Sequence, residues 1–326
     1  MARAFVIGGT GQIGLALAAR LARDGWDVVL GARRPPPVAG PWRHVAMARD
    51  VLADGLGAGA DLLVDCVGFD AGDAAQVLRV ADRVGRIVTI SSASVYRDGA
   101  GRSLDEARET GFPELPMPIP VDHPTVAPGP ETYSTRKVAM ERALLTGAPG
   151  RVTVLRPCAI HGAWSKHARE WWFVKRLLDG RRAIPLAYGG RSVFQTTSVD
   201  AIAEAVVAAA RGDLPEIVNV CDGDSPDVAA IGRAVMAVMG VEAEFVPLPD
   251  VPFPPTLGVT PWSTPRPFVP IADVAGPPYA EVVAPAVRWL CDVVAGGDWQ
   301  ERLPVLAAYP RDHFDYALDD AGLAGG

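Results

Sequence analysis

The sequence predicts an α/β fold, a doubly wound parallel sheet with a smaller C-terminal α/β annex. Three observations predict it. Phe5-Val6-Ile7 runs straight into Gly8-Gly9-Thr10-Gly11-Gln12-Ile13-Gly14, a strand entering a glycine turn that opens a helix. Through the first two-thirds of the chain, short β-branched runs alternate with helical patterns, as parallel βαβ units do. After Leu155 the alternation gives way to aromatic helices and a proline-dense stretch, the mark of a separate annex.

Strands are expected over Arg3–Ile7, Asp27–Leu30, Trp42–Met47, Asp61–Val67, Arg86–Ile90 and Arg151–Leu155. The helix after the first strand carries Ile13, Leu17 and Leu21 on one stripe. Pro35-Pro36-Pro37 stops the exit of the second strand, and the proline-rich residues 111–130 form a long loop leading to Tyr133. Trp171-Trp172-Phe173-Val174 with Leu177-Leu178 makes a helix outside the sheet. A return strand near Gln195, an apolar helix over Ala201–Ala210 and a strand over Glu216–Val220 follow. From Val246 to Pro278 prolines are too frequent for regular structure; a last helix, Tyr279–Val294, precedes a polar tail. Residues 1–157 and 194–222 are therefore expected to bind nucleotide, and 158–193 and 223–326 to bind substrate.

The 326 residues are 49% hydrophobic, enough for a sizeable core, yet no apolar run reaches the roughly 18 residues that span a bilayer. The N-terminus enters a strand without a leader pattern. Cys66, Cys158, Cys221 and Cys291 are dispersed in apolar segments and form no CxxC pair, which points to reduced thiols and a cytoplasmic protein. A net charge of -7 opposes general attraction to nucleic acid or anionic membranes. The partner expected is a small molecule. His161 and His167 stand too far from acids or thiols to argue for a metal site.

The glycines fit both Gly8-x-x-Gly11-x-x-Gly14 and Gly9-x-Gly11-x-x-Gly14, a Rossmann cradle in which backbone N–H groups and the helix end face a pyrophosphate. Gly8, Gly11, Gln12, Ile13 and Gly14 are its cofactor-binding candidates. The second strand ends Gly31-Ala32-Arg33-Arg34, with no acid before Asp50. An arginine there suits a 2′-phosphate, so Arg33 and Arg34 favour NADP(H), with NAD(H) the alternative. Asp50 and Val51 meet the adenine edge or else cap a helix. Val67-Gly68 ends the fourth strand, where glycine admits close backbone approach. Ser91, Ser92 and Ser94 end the fifth; Ser92 is placed for a reacting oxygen, and Ser91 and Ser94 either join it beside the cofactor or cap the loop. Tyr133 and Lys137 share a helix face. The Lys137 ammonium and a nicotinamide ring would each pull the Tyr133 pKa down from about 10.

These residues resemble the extended short-chain dehydrogenase/reductase family, also called the epimerase/dehydratase family. The resemblance rests on Gly8–Gly14, Ser92-Ala93-Ser94-Val95-Tyr96, Tyr133/Lys137, Leu155-Arg156-Pro157 with Ile160-His161-Gly162, Ser198-Val199-Asp200 and Val218-Asn219-Val220. It implies Ser92, Tyr133 and Lys137 as catalytic residues, Pro157 and Ile160 beside the cofactor, and a homodimer formed through the tyrosine-bearing helix. Ser94, His161, Trp171, Arg191 and Arg266 are candidates for touching substrate. Family dehydratases carry Asp-Glu where this chain has Ala93-Ser94. Nucleotide-sugar epimerases carry Arg-Asp where it has Val193-Phe194. The stretch from Arg169 to Asp200 is most similar to the branch of chloroplast stem-loop-binding proteins. The expectation is an NADP(H)-coupled reduction of a ketone, or oxidation of its alcohol, on a polar substrate. A sugar epimerase without net redox is the alternative, and an RNA- or metabolite-binding protein a third.

Overall fold

In the computed structural model, which describes residues 1–294, 297–309 and 312–324, six strands follow the predicted order. They are β1 (Arg3–Ile7), β2 (Asp27–Ala32), β3 (Arg43–Ala46), β4 (Ala60–Asp65), β5 (Val84–Ile90) and β6 (Val152–Pro157). Beyond them lie β7 (Ala159–His161), β8 (Ala183–Leu186), β9 (Thr196–Ser198), β10 (Ile217–Cys221), β11 (Glu244–Pro247) and β12 (Val274–Ala275). One eight-stranded sheet has the order β12-β10-β6-β5-β4-β1-β2-β3, parallel at every pairing. Helices cover both faces, so its central strands are apolar throughout instead of alternating. Ala4, Phe5 and Val6 of β1 and Leu62, Leu63 and Val64 of β4 are all fully buried.

The helices Gln12–Arg23 and Val199–Arg211 pack Leu17, Leu21, Ile202 and Val206 against Val6, Val28 and Val88 on one face. On the other face, Ala71–Leu78 and Tyr133–Gly147 set Val77, Met140 and Leu144 against Phe5, Leu63 and Ile87. This is the doubly wound arrangement expected. Strand order reverses beside β1, where β2 and β4 flank it, and that reversal opens a crevice at the carboxyl ends of the strands.

The return strand near Gln195 forms as β9, but it pairs with β7 in a separate two-stranded ribbon. β6 already has β10 along its free edge, Val154 opposite Ile217, so the main sheet has no slot for β9. The annex has its own core of Trp171, Phe173, Ile184, Val235, Trp262 and Leu290, with β8 and β11 paired at its side. Residues 248–273 hold no strand or helix, as the prolines dictate, and only β12 at their end joins the sheet.

Two expectations fail in the C-terminal region. The single helix over Tyr279–Val294 is two, Tyr279–Val282 and Ala284–Val294, because Pro285 has no N–H to continue the first and starts the second. The polar tail is folded. Short helices at Trp299–Arg302, Pro304–Ala307 and Tyr316–Ala324 bring Leu303 and Leu306 into the annex core. Asp319 is buried against Arg176, 3.0 Å from its Nη2. Among the described residues no helix is long and apolar enough to cross a membrane, and no cluster of His, Cys, Asp or Glu could hold a metal.

Candidate functional site

The cradle is shaped by what it cannot accommodate. Gly8 has φ +73°, and a Cβ there would stand 2.5 Å from Val67 Cγ1. A Cβ on Gly14 would meet the Gly9 backbone at 2.5 Å, so the helix starts hard against the turn. Gly11 caps that helix without a side-chain hydrogen bond, and the N–H groups of Gln12, Ile13 and Gly14 have no acceptor among the described residues. Orphan donors at a positive helix end fit a pyrophosphate. Arg33 and Arg34 lie exposed just past β2, with no ion pair or side-chain hydrogen bond among the described residues. Asp50 and Val51 are exposed in the turn after β3. It is Arg49, which the sequence reading passed over, that turns inward: its Nη1 donates to Asp65 Oδ1 at 2.8 Å, and its Nε lies 2.8 Å from Asp73 Oδ1.

A cleft of about 410 Å³ opens at the carboxyl ends of β5 and β6. It brings together Ser92, Ser94 and Tyr133 with Gln12, Pro157 and Ile160 from the cofactor side. Tyr133 is placed by a capping box: Thr132 N donates to Thr135 Oγ1 at 2.9 Å, and Thr135 N returns a bond to Thr132 Oγ1 at 3.3 Å. The helix therefore starts at Tyr133 and puts Lys137 and Glu141 on the same face at i+4 and i+8. Ser92 Oγ donates to Ser94 Oγ at 3.0 Å, and Ser94 Oγ stands 2.9 Å from Ser134 Oγ. Ser134 in turn donates to Asp105 Oδ1 at 3.0 Å. Ser91 borders the cleft, but its hydroxyl donates to Glu141, which Arg156 also grips, Nη2 to Oε2 at 2.7 Å.

Lys137 lies beneath the cleft. Its Nζ donates to Gly68 O at 2.6 Å and Ile90 O at 2.9 Å. Burial pushes its pKa down to about 8 against the pull of Asp65 and Glu141. In the free protein, without a nicotinamide, the Tyr133 pKa moves upward. Burial holds its pKa above the ordinary value; the Ser92 hydroxyl works against that rise, Asp105 adds to it and Arg169 opposes it. The Lys137 ammonium, 5.7 Å from the phenol ring centroid, is committed to carbonyl oxygens instead.

Of the residues expected at the substrate, Ser94 borders the cleft and the other four stand elsewhere. His161 is buried, with Nε2 2.7 Å from Asp222 Oδ2, and Trp171 belongs to the annex core. Arg191 pairs with Asp250 at 2.8 Å and Arg266 with Glu114 at 2.9 Å, both in the open. The cleft is walled instead by Arg169, His167, Tyr309 and the stacked rings of Phe194 and Phe268, with centroids 4.9 Å apart. No spacing rule marks Arg169 in the sequence; it reaches the cleft because the buried Trp171 and Trp172 fix the helix that follows it. Cys158 and Cys221, 63 positions apart, meet with sulfurs 3.9 Å apart.

A dinucleotide cradle that ends where a serine and a tyrosine–lysine helix converge defines a nicotinamide-dependent enzyme on a Rossmann sheet. Residues 4–221 match the model of the NAD dependent epimerase/dehydratase family, and the chain belongs to that family. Solved structures agree on the fold. MoeE5 in complex with UDP-glucose and NAD shares 18% identity at TM-score 0.63, over 88% of this chain and 98% of that one. The dTDP-glucose 4,6-dehydratase of Bacillus anthracis in complex with NAD shares 13% at TM-score 0.65, over 90% and 98%. The UDP-glucose 4-epimerase of Thermotoga maritima with UDP-glucose shares 14% at TM-score 0.65, over 89% and 99%. A comparison with curated proteins yields no match.

Proposed function

We propose that the protein oxidises and re-reduces one secondary-alcohol carbon of a polar, sugar-like substrate, acting as an epimerase without net redox. The observation that carries the reading is the convergence of Ser92 and Tyr133 on one cleft that the cofactor cradle also borders through Gln12. In this reading Ser92 donates a hydrogen bond to the reacting oxygen, and Tyr133 Oη takes and returns its proton. Lys137, anchored on Gly68 and Ile90, keeps a donor for the nicotinamide ribose. A bound nicotinamide supplies the hydride acceptor and donor; the cradle, with its unpaired N–H groups, fits its pyrophosphate. Membership of the epimerase/dehydratase family and neighbours described as epimerases support re-reduction on the same centre. Elimination has less support, since Ala93-Ser94 supply no acid and base after Ser92.

Net reduction with NADPH is the second reading, favoured by one observation: Arg33 and Arg34 stand unpaired among the described residues where a 2′-phosphate would lie. Mass spectrometry of nucleotide carried through purification, with NADPH absorbance followed alongside product stereochemistry, separates the two. Retained NAD(H) and an inverted centre with no net change in added cofactor fit the epimerase. Stoichiometric loss of NADPH sinks it in favour of the reductase.

A further inference from the structure

We propose that Arg169 anchors a single anionic group on the substrate, a carboxylate or a monophosphate, so that the substrate is a compact anion and not a nucleotide sugar. The inference rests on the reading of the cleft as the substrate site, and it names what that site takes.

Arg169 contrasts with the other arginines of its region. Arg176 is paired with Asp319, Arg181 with Asp320, Arg191 with Asp250 and Arg266 with Glu114. The half-buried Arg169 side chain has no ion pair and no hydrogen bond among the described residues, and it forms part of the cleft that holds Ser92 and Tyr133. Among the described residues the cleft wall contains no aspartate or glutamate, although the chain as a whole carries a net charge of -7. Partial desolvation, Arg169 and Lys166 all push the His167 pKa down. Its Nδ1 stands 2.6 Å from Tyr309 Oη. Arg169 is thus the one guanidinium among the described residues that line the cleft, and its charge is felt at Tyr133, where Asp105 opposes it, and at His167 and Tyr309.

A guanidinium presents a planar fork of donors that matches one carboxylate or phosphate. Phe194 and Phe268 also line the cleft with stacked rings, and no second Arg or Lys lines it among the described residues. A diphosphate would need another partner, and the nearby candidates Arg191 and Arg266 are engaged outside the cleft. The geometry suits one anion at Arg169, a carbinol carbon at Tyr133 and an apolar flank on the phenylalanines.

The test is calorimetric binding to the NAD(H)-loaded protein, with glucuronate, glucose 6-phosphate, glucose and UDP-glucose as probes. A charge-assisted contact should make at least one compact anion bind about tenfold to a hundredfold tighter than glucose. That preference should shrink with added salt, vanish in Arg169→Gln and return in part in Arg169→Lys, while NAD(H) affinity stays unchanged. Tighter glucuronate identifies a carboxylate and tighter glucose 6-phosphate a monophosphate. Equal binding of glucose and both compact anions, no binding of either anion, or tightest binding of UDP-glucose overturns the proposal. The wild-type preference and its salt dependence decide the matter even if Arg169→Gln does not fold. A wrong catalytic reading shows separately, as turnover that survives Tyr133→Phe.

Discussion

Lys137 Nζ stands 5.7 Å from the ring centroid of Tyr133, one helical turn away, and is held from below by two backbone carbonyls. The lysine is thus fixed in place by β4's exit and β5's end before any ligand arrives. Burial brings its pKa to about 8, whereas an unfolded chain would titrate near 10.5. Between those values the unfolded state binds more protons than the native one, so this lysine's contribution to stability rises as pH climbs from about 8 to 10.5. Labelling lysines with ¹³C at Cε should show one resonance titrating near pH 8, absent in Lys137→Met. Asp65→Asn should lower that midpoint, because Asp65 favours the charged form. A Lys137 midpoint at 10 or above would refute the buried placement.

Desolvation of the Tyr133 phenol holds its pKa above the ordinary value in the free protein, although 40% of the residue is exposed. The oxidation half-reaction needs the phenolate, which the positive charge of a bound nicotinamide would favour. Removing its oxygen in Tyr133→Phe takes away proton transfer and leaves packing in place. Turnover should fall about 10²–10⁴-fold, with thermal midpoint and nicotinamide affinity unchanged. Undiminished turnover would make Tyr133 a structural residue.

What the sequence made legible was local. Strand β1, the glycine turn and the Tyr133–Lys137 face depend on neighbours within a few residues, and period and turn chemistry describe them well. The main sheet was legible because buried parallel strands are continuous apolar runs. Partners brought together by the fold were not. Arg49 and Asp65, Glu141 and Arg156, and Cys158 and Cys221 each pair residues from separate elements. Arg169 enters the cleft through the packing of the helix after it, a matter of tertiary contact. His161, Arg191 and Arg266 were plausible by residue type alone, and each proves to be paired with an acid outside the cleft. The folded tail was missed because its apolar residues are interspersed with charges; Leu303 and Leu306, with Trp299, Tyr309 and Phe314, dock it on the annex core.

The pairing of Arg49 with Asp65 yields a stability prediction. Asp65 is 1% exposed, and Arg49 supplies its only ion-pair partner among the described residues. Deleting one partner of a buried pair leaves a charge without compensation, typically at a cost of about 3–5 kcal/mol. Arg49→Met should destabilise by that order in urea, and Asp65→Asn added to it should recover part of the loss. A loss below about 1 kcal/mol, the scale of surface pairs, would show that water reaches Asp65.

Arg33 gives the sharpest test of cofactor choice, because no acidic side chain among the described residues pairs with it. Its side chain is exposed just past β2 with no ion pair among the described residues, and the segment Gly31-Ala32-Arg33-Arg34 contains no carboxylate. If it meets a 2′-phosphate, the contact is charge-assisted and worth about 1.5–3 kcal/mol. Arg33→Ala should then weaken NADPH by roughly one to two orders of magnitude and leave NADH almost unchanged. Raising the salt concentration should erode NADPH affinity in the parent protein more than in the variant, since an exposed contact is screened. Fluorescence titration of both nucleotides reads all of this directly. Should the unmodified protein bind NADH as tightly as NADPH, Arg33 is a solvated surface charge, and NAD(H) retained through the reaction cycle becomes the cofactor consistent with epimerisation.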